Sequence, residues 1–216
     1  MTVRILVADD HAVVRRGIRA LLESHEGWEV CGEATTGRMA VEECRRLQPD
    51  VVVMDLSLPD LNGLDATRQI MKSASRTEVL VLTMHHSEEL VRDVVQAGAL
   101  GYVLKSDAAE RLLAAVDSLR QHRPFLSSTV TEFVLDDHVR RGDPPKDGFA
   151  PVTLSARERE IVQLVAEGLS SKEVASKLFL SVKTIEAHRS NVMKKLRLHS
   201  VSDLVRYAVR NKLVEP

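Results

Sequence analysis

Two folded regions are predicted for this 216-residue chain. One is an α/β, doubly wound five-stranded parallel sheet over residues 1–122, and the other is an all-α unit of four helices over residues 153–216. Three observations predict them. Short apolar runs alternate with helix-like segments in the first half. Each run ends on an acid, a hydroxyl or an ammonium group. The last third opens on serine-glutamate helix starts after a break rich in proline and glycine.

The runs are Val3 to Ala8, Val51 to Met54, Glu78 to Leu82 and Gly101 to Leu104, with a further strand around Cys31. In a parallel sheet of this kind the carboxyl ends of the strands form the ligand crevice. Asp9 and Asp10, Asp55, Thr83 and Lys105 are therefore expected to converge there. The three carboxylates make an oxygen-rich, strongly negative site, which suits a hard cation that keeps several waters, such as Mg²⁺. A carboxylate beside Mg²⁺ can attack a phosphoryl group, because the metal offsets charge repulsion. Thr83 is then placed to hydrogen-bond one phosphoryl oxygen and Lys105 to pair with another. The implied product is an aspartyl phosphate. An acidic pair alone after a strand is more often simply solvated; all five groups in this order argue for the site.

These residues carry a resemblance. Val7-Ala-Asp-Asp-His11, Asp50 to Gly63, Leu82-Thr83 and Gly98 to Ser106 are similar to the receiver domain, a flavodoxin-like fold, of bacterial two-component response regulators, over residues 2 to about 121. The resemblance implies that Asp55 accepts a phosphoryl group from a cognate histidine kinase. It implies that Asp10, Asp55 and the backbone carbonyl of Ser57 bind Mg²⁺ directly, and that Asp9 acts mainly through a metal-bound water. Thr83 with Tyr102 would form the pair that rearranges on phosphorylation.

Composition agrees without deciding anything by itself. Hydrophobic residues make up 44% and charged residues 28%, while aromatics are only 3%, so the cores must be aliphatic. No apolar stretch is long enough to span a membrane and the N-terminus lacks a signal-peptide pattern, so a cytoplasmic protein is expected. Cys31 and Cys44 read as free thiols in buried positions. The eight histidines show no ligand spacing. The net charge of −1 conceals an asymmetry: residues 153–216 carry 12 Lys and Arg against 7 Asp and Glu, so the acidic excess lies in the first part. Such a split fits a sensor joined to a nucleic-acid binder.

Residues 123–152 are expected to link the two regions. Ser127 to Val139 has the apolar spacing of a connecting helix, and Arg140 to Val152 has linker composition, with three prolines and two glycines. Beyond it, Ser155-Ala-Arg-Glu158 and Ser170-Ser-Lys-Glu173 are capping boxes, and Gly168 ends the first helix. Phe179-Leu-Ser181 makes a tight connection to a helix from about Val182 to Leu196, and a last helix runs from Ser200 to about Val214. This is helix, turn, recognition helix.

Leu154 to Glu160, Ala166 to Ala175 and Leu180 to Leu196 closely resemble the LuxR-type helix-turn-helix, and with the receiver the chain resembles a NarL/FixJ-type response regulator. The resemblance implies double-stranded DNA as partner. Lys183, Thr184, His188, Arg189, Lys194 and Lys195 are expected at phosphates, and Glu186, Ala187 and Ser190 at the base-facing surface. For Glu186 an intrahelical pair with Arg189 or Ser190 stands as the alternative. The stripe Val201, Leu204, Val205 and Ala208 is first of all core; in the family this helix also forms a dimer contact, which implies a homodimer on an inverted-repeat operator.

Two features depart from the receiver pattern. Met84 is larger than the residue many receivers have beside the phosphoryl site, which would restrict access, while Ser57 and His85 flank the site where the lifetime of the phosphoryl group is set. Ser106 stands where many receivers have proline, and a cis peptide between Lys105 and Ser106 is expected, with Asp107 capping the next helix. The reading is a phosphorylation-activated transcription regulator without turnover of an external substrate. One rival, a phosphatase or phosphotransferase, lacks a second acid-base aspartate at Ser57. The other, a phosphate-independent interaction module, leaves the complete acid pocket without a purpose.

Overall fold

The computed structural model describes residues 2–73, 76–84, 87–125 and 154–214. They fall into two compact units, the first made of the described residues of 2–58 and 63–125 and the second of 59–62 and 154–214. The expected connecting helix and linker lie outside the described residues, as does His85.

In the first unit the strands are β1 (Val3–Ala8), β2 (Trp28–Ala34), β3 (Val51–Asp55), β4 (Glu78–Thr83) and β5 (Gly101–Leu104). They are all parallel, in the order β2-β1-β3-β4-β5. Every residue of β3 is buried, which is why Val51-Val-Val-Met54 reads as a continuous apolar run: a central strand covered on both faces has no polar side to alternate with. The helices are α1 (Ala12–Glu23), α2 (Gly37–Leu47), α3 (Gly63–Ser73), α4 (Glu88–Gln96) and α5 (Ala108–Leu119). Alternate strand residues sort by face. Ile5, Val7, Val51, Val53, Leu80, Leu82 and Val103 join Ile18 and Leu22 of α1 with Leu112, Val116 and Leu119 of α5 in one aliphatic core. The single tryptophan, Trp28, closes its edge with His25 stacked on it at 4.1 Å.

One glycine is required by contact. A Cβ on Gly63 would lie 1.9 Å from the carbonyl oxygen of Asp55, so the start of α3 approaches the end of β3 more closely than any side chain permits. The Gly63 N–H donates to the Leu56 carbonyl at 2.9 Å and fixes that approach.

The second unit has four helices among the described residues: α6 (Ala156–Ala166), α7 (Ser171–Lys177), α8 (Val182–Lys195) and α9 (Val201–Arg210). Both expected capping boxes form, and Ser200 with Asp203 makes a third. Gly168 ends α6 at φ 94°, in the left-handed region. Ile161, Leu164, Val174, Ile185, Val192, Leu204 and Ala208 form the core. The stripe of α9 divides between core and surface. Leu204 and Ala208 are 2% and 0% exposed, because a four-helix unit this small consumes the inner stripe of α9 to cover itself. Val201 remains exposed and Val205 half-buried. The helix also ends at Arg210, short of Val214, although Leu213 and Val214 still pack against the core.

Candidate functional site

Register places the site. Ala8 lies opposite Met54, so Asp9 leaves β1 beside Asp55 at the end of β3, at the point where the strand order reverses. Asp55 pairs with Leu82, and Thr83 with Leu104, so Thr83 and Lys105 follow at the same edge. All five sequence-predicted groups lie at this end of the sheet. Lys105 Nζ is 2.8 Å from Asp55 Oδ2 and 2.9 Å from Asp9 Oδ2. One ligand atom each from Asp9, Asp10, His11 and Asp55 lies within 4.8 Å of the others. His11 escaped the sequence reading although it directly follows the acid pair. Its N–H donates to Asp9 Oδ1 and its Nδ1 lies 2.8 Å from Asp10 Oδ1.

Burial governs the electrostatics. Asp9 and Asp55 are 1% and 2% exposed, a costly place for carboxylates unless they are paired. Burial pushes the Asp55 carboxyl above its usual range, while the hydrogen bond and charge of Lys105, and an N–H from Ser57, act against that. Burial alone would lower the Lys105 ammonium, but Asp55 and Asp9 outweigh it and the net direction is up. Three carboxylates against one ammonium leave an excess of negative charge, and Asp9 Oδ2, though near Lys105, takes no well-directed hydrogen bond. The three carboxylates, with unmet acceptor capacity, fit Mg²⁺.

Thr83 is 1% and Tyr102 4% exposed. Tyr102 pairs with Val81, two residues before Thr83, so Thr83 and Tyr102 occupy the same face of the sheet, opposite to that of Leu80, Leu82 and Val103. Burial pushes the Tyr102 phenol up to about 12, which keeps it neutral. Met84 is 66% exposed and turns outward.

The cis peptide is not found: the Lys105–Ser106 bond is trans. Leu104 is extended and Lys105–Asp107 forms one 3₁₀ turn, from which the long lysine stem reaches both carboxylates without an unusual backbone. Asp107 occupies the N-cap position of α5 but accepts from Ser106 Oγ at 2.8 Å instead of capping the helix.

In the second unit, Ser181 caps α8, accepting from the Thr184 N–H at 3.1 Å, with the two hydroxyls 2.8 Å apart. Lys183, Glu186, Ala187, Ser190, Lys194 and Lys195 are exposed, and Thr184, His188 and Arg189 are half-buried. Besides Thr184, two of the expected phosphate contacts have partners within the unit. Arg189 donates to Ser171 Oγ at 2.6 Å, and Lys195 Nζ lies 2.9 Å from Glu158 Oε2. Neither partnership is visible in sequence, because each joins residues on different helices. Among the described residues Glu186 forms no ion pair with Arg189, whose guanidinium donates to Ser171 Oγ.

Comparison with known proteins agrees with both units. The family model for the response regulator receiver domain matches residues 5–117, and that for bacterial regulatory proteins of the luxR family matches residues 152–208. Oxygen regulatory protein NreC of Staphylococcus carnosus (strain TM300) is 40% identical over 217 residues, covering 98% of this chain and 99% of the relative. Among solved structures, the complex of the two-component response regulator RcsB with DNA is 28% identical, with a TM-score of 0.57, and covers 96% of this chain and 98% of that one. A structure of two RcsB dimers bound to two parallel DNAs is 27% identical, with a TM-score of 0.58 and the same coverage. Both units thus match known families over nearly their whole length, and the chain belongs to the response regulators with a LuxR-type DNA-binding domain, which are phosphorylation-dependent transcription regulators.

Proposed function

We propose that Asp55 is the phosphoacceptor and that its phosphorylation by a histidine kinase switches dimerisation and DNA binding. The observation that carries this is the Lys105 ammonium held between Asp55 and Asp9 at 2.8 and 2.9 Å. An Asp55 carboxylate oxygen attacks the phosphorus of a phosphohistidine, the P–N bond breaks, and the kinase imidazole departs with the electron pair. Asp9, Asp10, Asp55 and the Ser57 carbonyl would hold Mg²⁺, which when bound offsets the charge of the carboxylates and of the phosphoryl oxygens. Lys105 pairs with one phosphoryl oxygen and the Thr83 hydroxyl donates to another. Drawing Thr83 toward the phosphoryl group opens space on the face it shares with Tyr102, and the ring moves into it.

The output is double-stranded DNA bound by α8 in the major groove, with Lys183 and Lys194 at phosphates and Glu186, Ala187 and Ser190 toward bases. Val201 and Val205 supply the exposed part of a two-fold contact on an inverted-repeat operator, in the cytoplasm where the DNA lies. The test is phosphoryl transfer from a phosphorylated kinase domain in the presence of Mg²⁺. Asp55→Asn is expected to abolish labelling; labelling of that variant at the wild-type level would overturn the assignment.

A further inference from the structure

The turn that enters α8 presents an aromatic ring to solvent. Phe179 is 93% exposed, the most exposed of the large apolar side chains described, and its backbone sits at φ 53°. Both facts run against ordinary stability. A bulky non-glycine residue in the left-handed region is disfavoured, and glycine would occupy this turn more easily. An exposed phenylalanine contributes nothing to the core, and the adjoining positions show the contrast: Leu178 is 6% exposed and Leu180 packs against the core. A strained, outward-facing ring is the kind of feature that points to use by a ligand.

Its neighbours say which ligand. Two residues on, Ser181 caps α8, and the exposed Val182 (39%) and Lys183 make the first turn of that helix. In a helix-turn-helix the N-terminal residues of the second helix meet the DNA, so the ring lies at the margin of that surface. Partner chemistry follows from the mixture of groups: a phosphate for the lysine, and apolar carbon within a few ångströms of it for Phe179 and Val182. Duplex DNA offers both, since deoxyribose carbons adjoin each phosphate and thymines present a methyl group in the major groove.

We propose that Phe179 is a DNA-contact residue, packing its ring on deoxyribose or a thymine methyl at the edge of the surface that α8 presents. This rests on the reading of α8 as the helix that enters the groove. The contact adds affinity without neutralising a phosphate, so it carries no salt dependence of its own.

The experiment uses the full chain, treated with a small-molecule phosphodonor and Mg²⁺, and a duplex that the wild-type protein selects from a random pool. Phe179→Gly removes the ring and relieves the backbone, so the fold is preserved or improved; thermal melting verifies this. Binding is expected to weaken by about tenfold, the scale of losing part of a ring's apolar contact, with an unchanged slope of log affinity against log salt. Lys183→Ala, as the comparison, should reduce that slope. Replacing thymine by uracil throughout the duplex separates the two sources: a loss seen with wild type and absent in Phe179→Gly identifies the methyl group, and no effect of uracil identifies the sugar. Equal affinity of wild type and Phe179→Gly would overturn the proposal for Phe179 alone. Failure of the wild type to select any DNA would overturn it together with the reading of α8.

Discussion

Lys195 Nζ lies 2.9 Å from Glu158 Oε2, the oxygen that also accepts the Ser155 N–H at 2.7 Å, so the last turn of α8 is tied to the capped first turn of α6. The pair is partly exposed and by itself is worth only about 0–1 kcal/mol. Lys194, one residue before it, has no such partner among the described residues.

Lys194 and Lys195 should therefore behave differently. Lys194→Ala is expected to weaken binding to all DNA sequences alike and to reduce the salt slope by about 1. Lys195→Ala should leave the slope nearly intact and lower the melting temperature slightly. Salt titrations of the two variants check this, and identical slopes would show that Lys195 abandons Glu158 for a phosphate.

The second unit should be acid-sensitive. The Glu158 carboxyl is lowered by Lys195 and by the Ser155 N–H, Glu173 by Ser170, and Asp203 by Ser200. A carboxylate lowered in the folded state gives stability that is present above its unfolded value, 4.5 for glutamate and 3.8 for aspartate, and is lost as pH falls through the folded one. Thermal melts followed by helical circular dichroism from pH 7 to pH 3 are expected to show the loss beginning only below about 4.5. Ser170→Ala should flatten part of the profile, and an unaltered profile in that variant would remove the capping box as its source.

Lys105→Ala exposes the three carboxylates to one another. Removing one partner of a buried charge pair costs about 3–5 kcal/mol, so the first unit is expected to melt markedly lower in chelator. Mg²⁺ should restore more stability to the variant than it adds to the wild type, because the site becomes more negative by one charge. Calorimetric titration measures the affinity directly; weaker Mg²⁺ binding in the variant would mean that Lys105 positions the carboxylates for the metal.

Gly63→Ala should destabilise the first unit by about 3 kcal/mol, since its Cβ would sit 1.9 Å from the Asp55 carbonyl oxygen. Gly17→Ala provides the contrast. Gly17 lies within α1 with no heavy atom within 4 Å of an added Cβ, and alanine there should stabilise by about 0.5–1 kcal/mol. Denaturant unfolding of both variants tests the pair.

Much of this was legible along the chain because it is periodic or local. The alternation that puts Ile5 and Val7 on one face of β1, the unbroken run of β3 and the serine boxes at Ser155 and Ser170 depend on residues within a few positions of one another. Even the convergence of Asp9, Asp55, Thr83 and Lys105 follows from strand ends in a parallel sheet, a rule of topology that needs no side-chain detail. What only the tertiary structure decided involves partners far apart in sequence or the competition for one surface. The trans link after Lys105 depends on how far a flexible stem reaches from a 3₁₀ turn, and the burial of Leu204 and Ala208 on how much of α9 the small core requires. The engagement of Arg189 with Ser171 and of Lys195 with Glu158, and the outward ring of Phe179, are likewise set by which helices meet. A sequence records which groups are present and their spacing along an element, whereas the partner each group finds across elements is fixed only when packing brings the surfaces together.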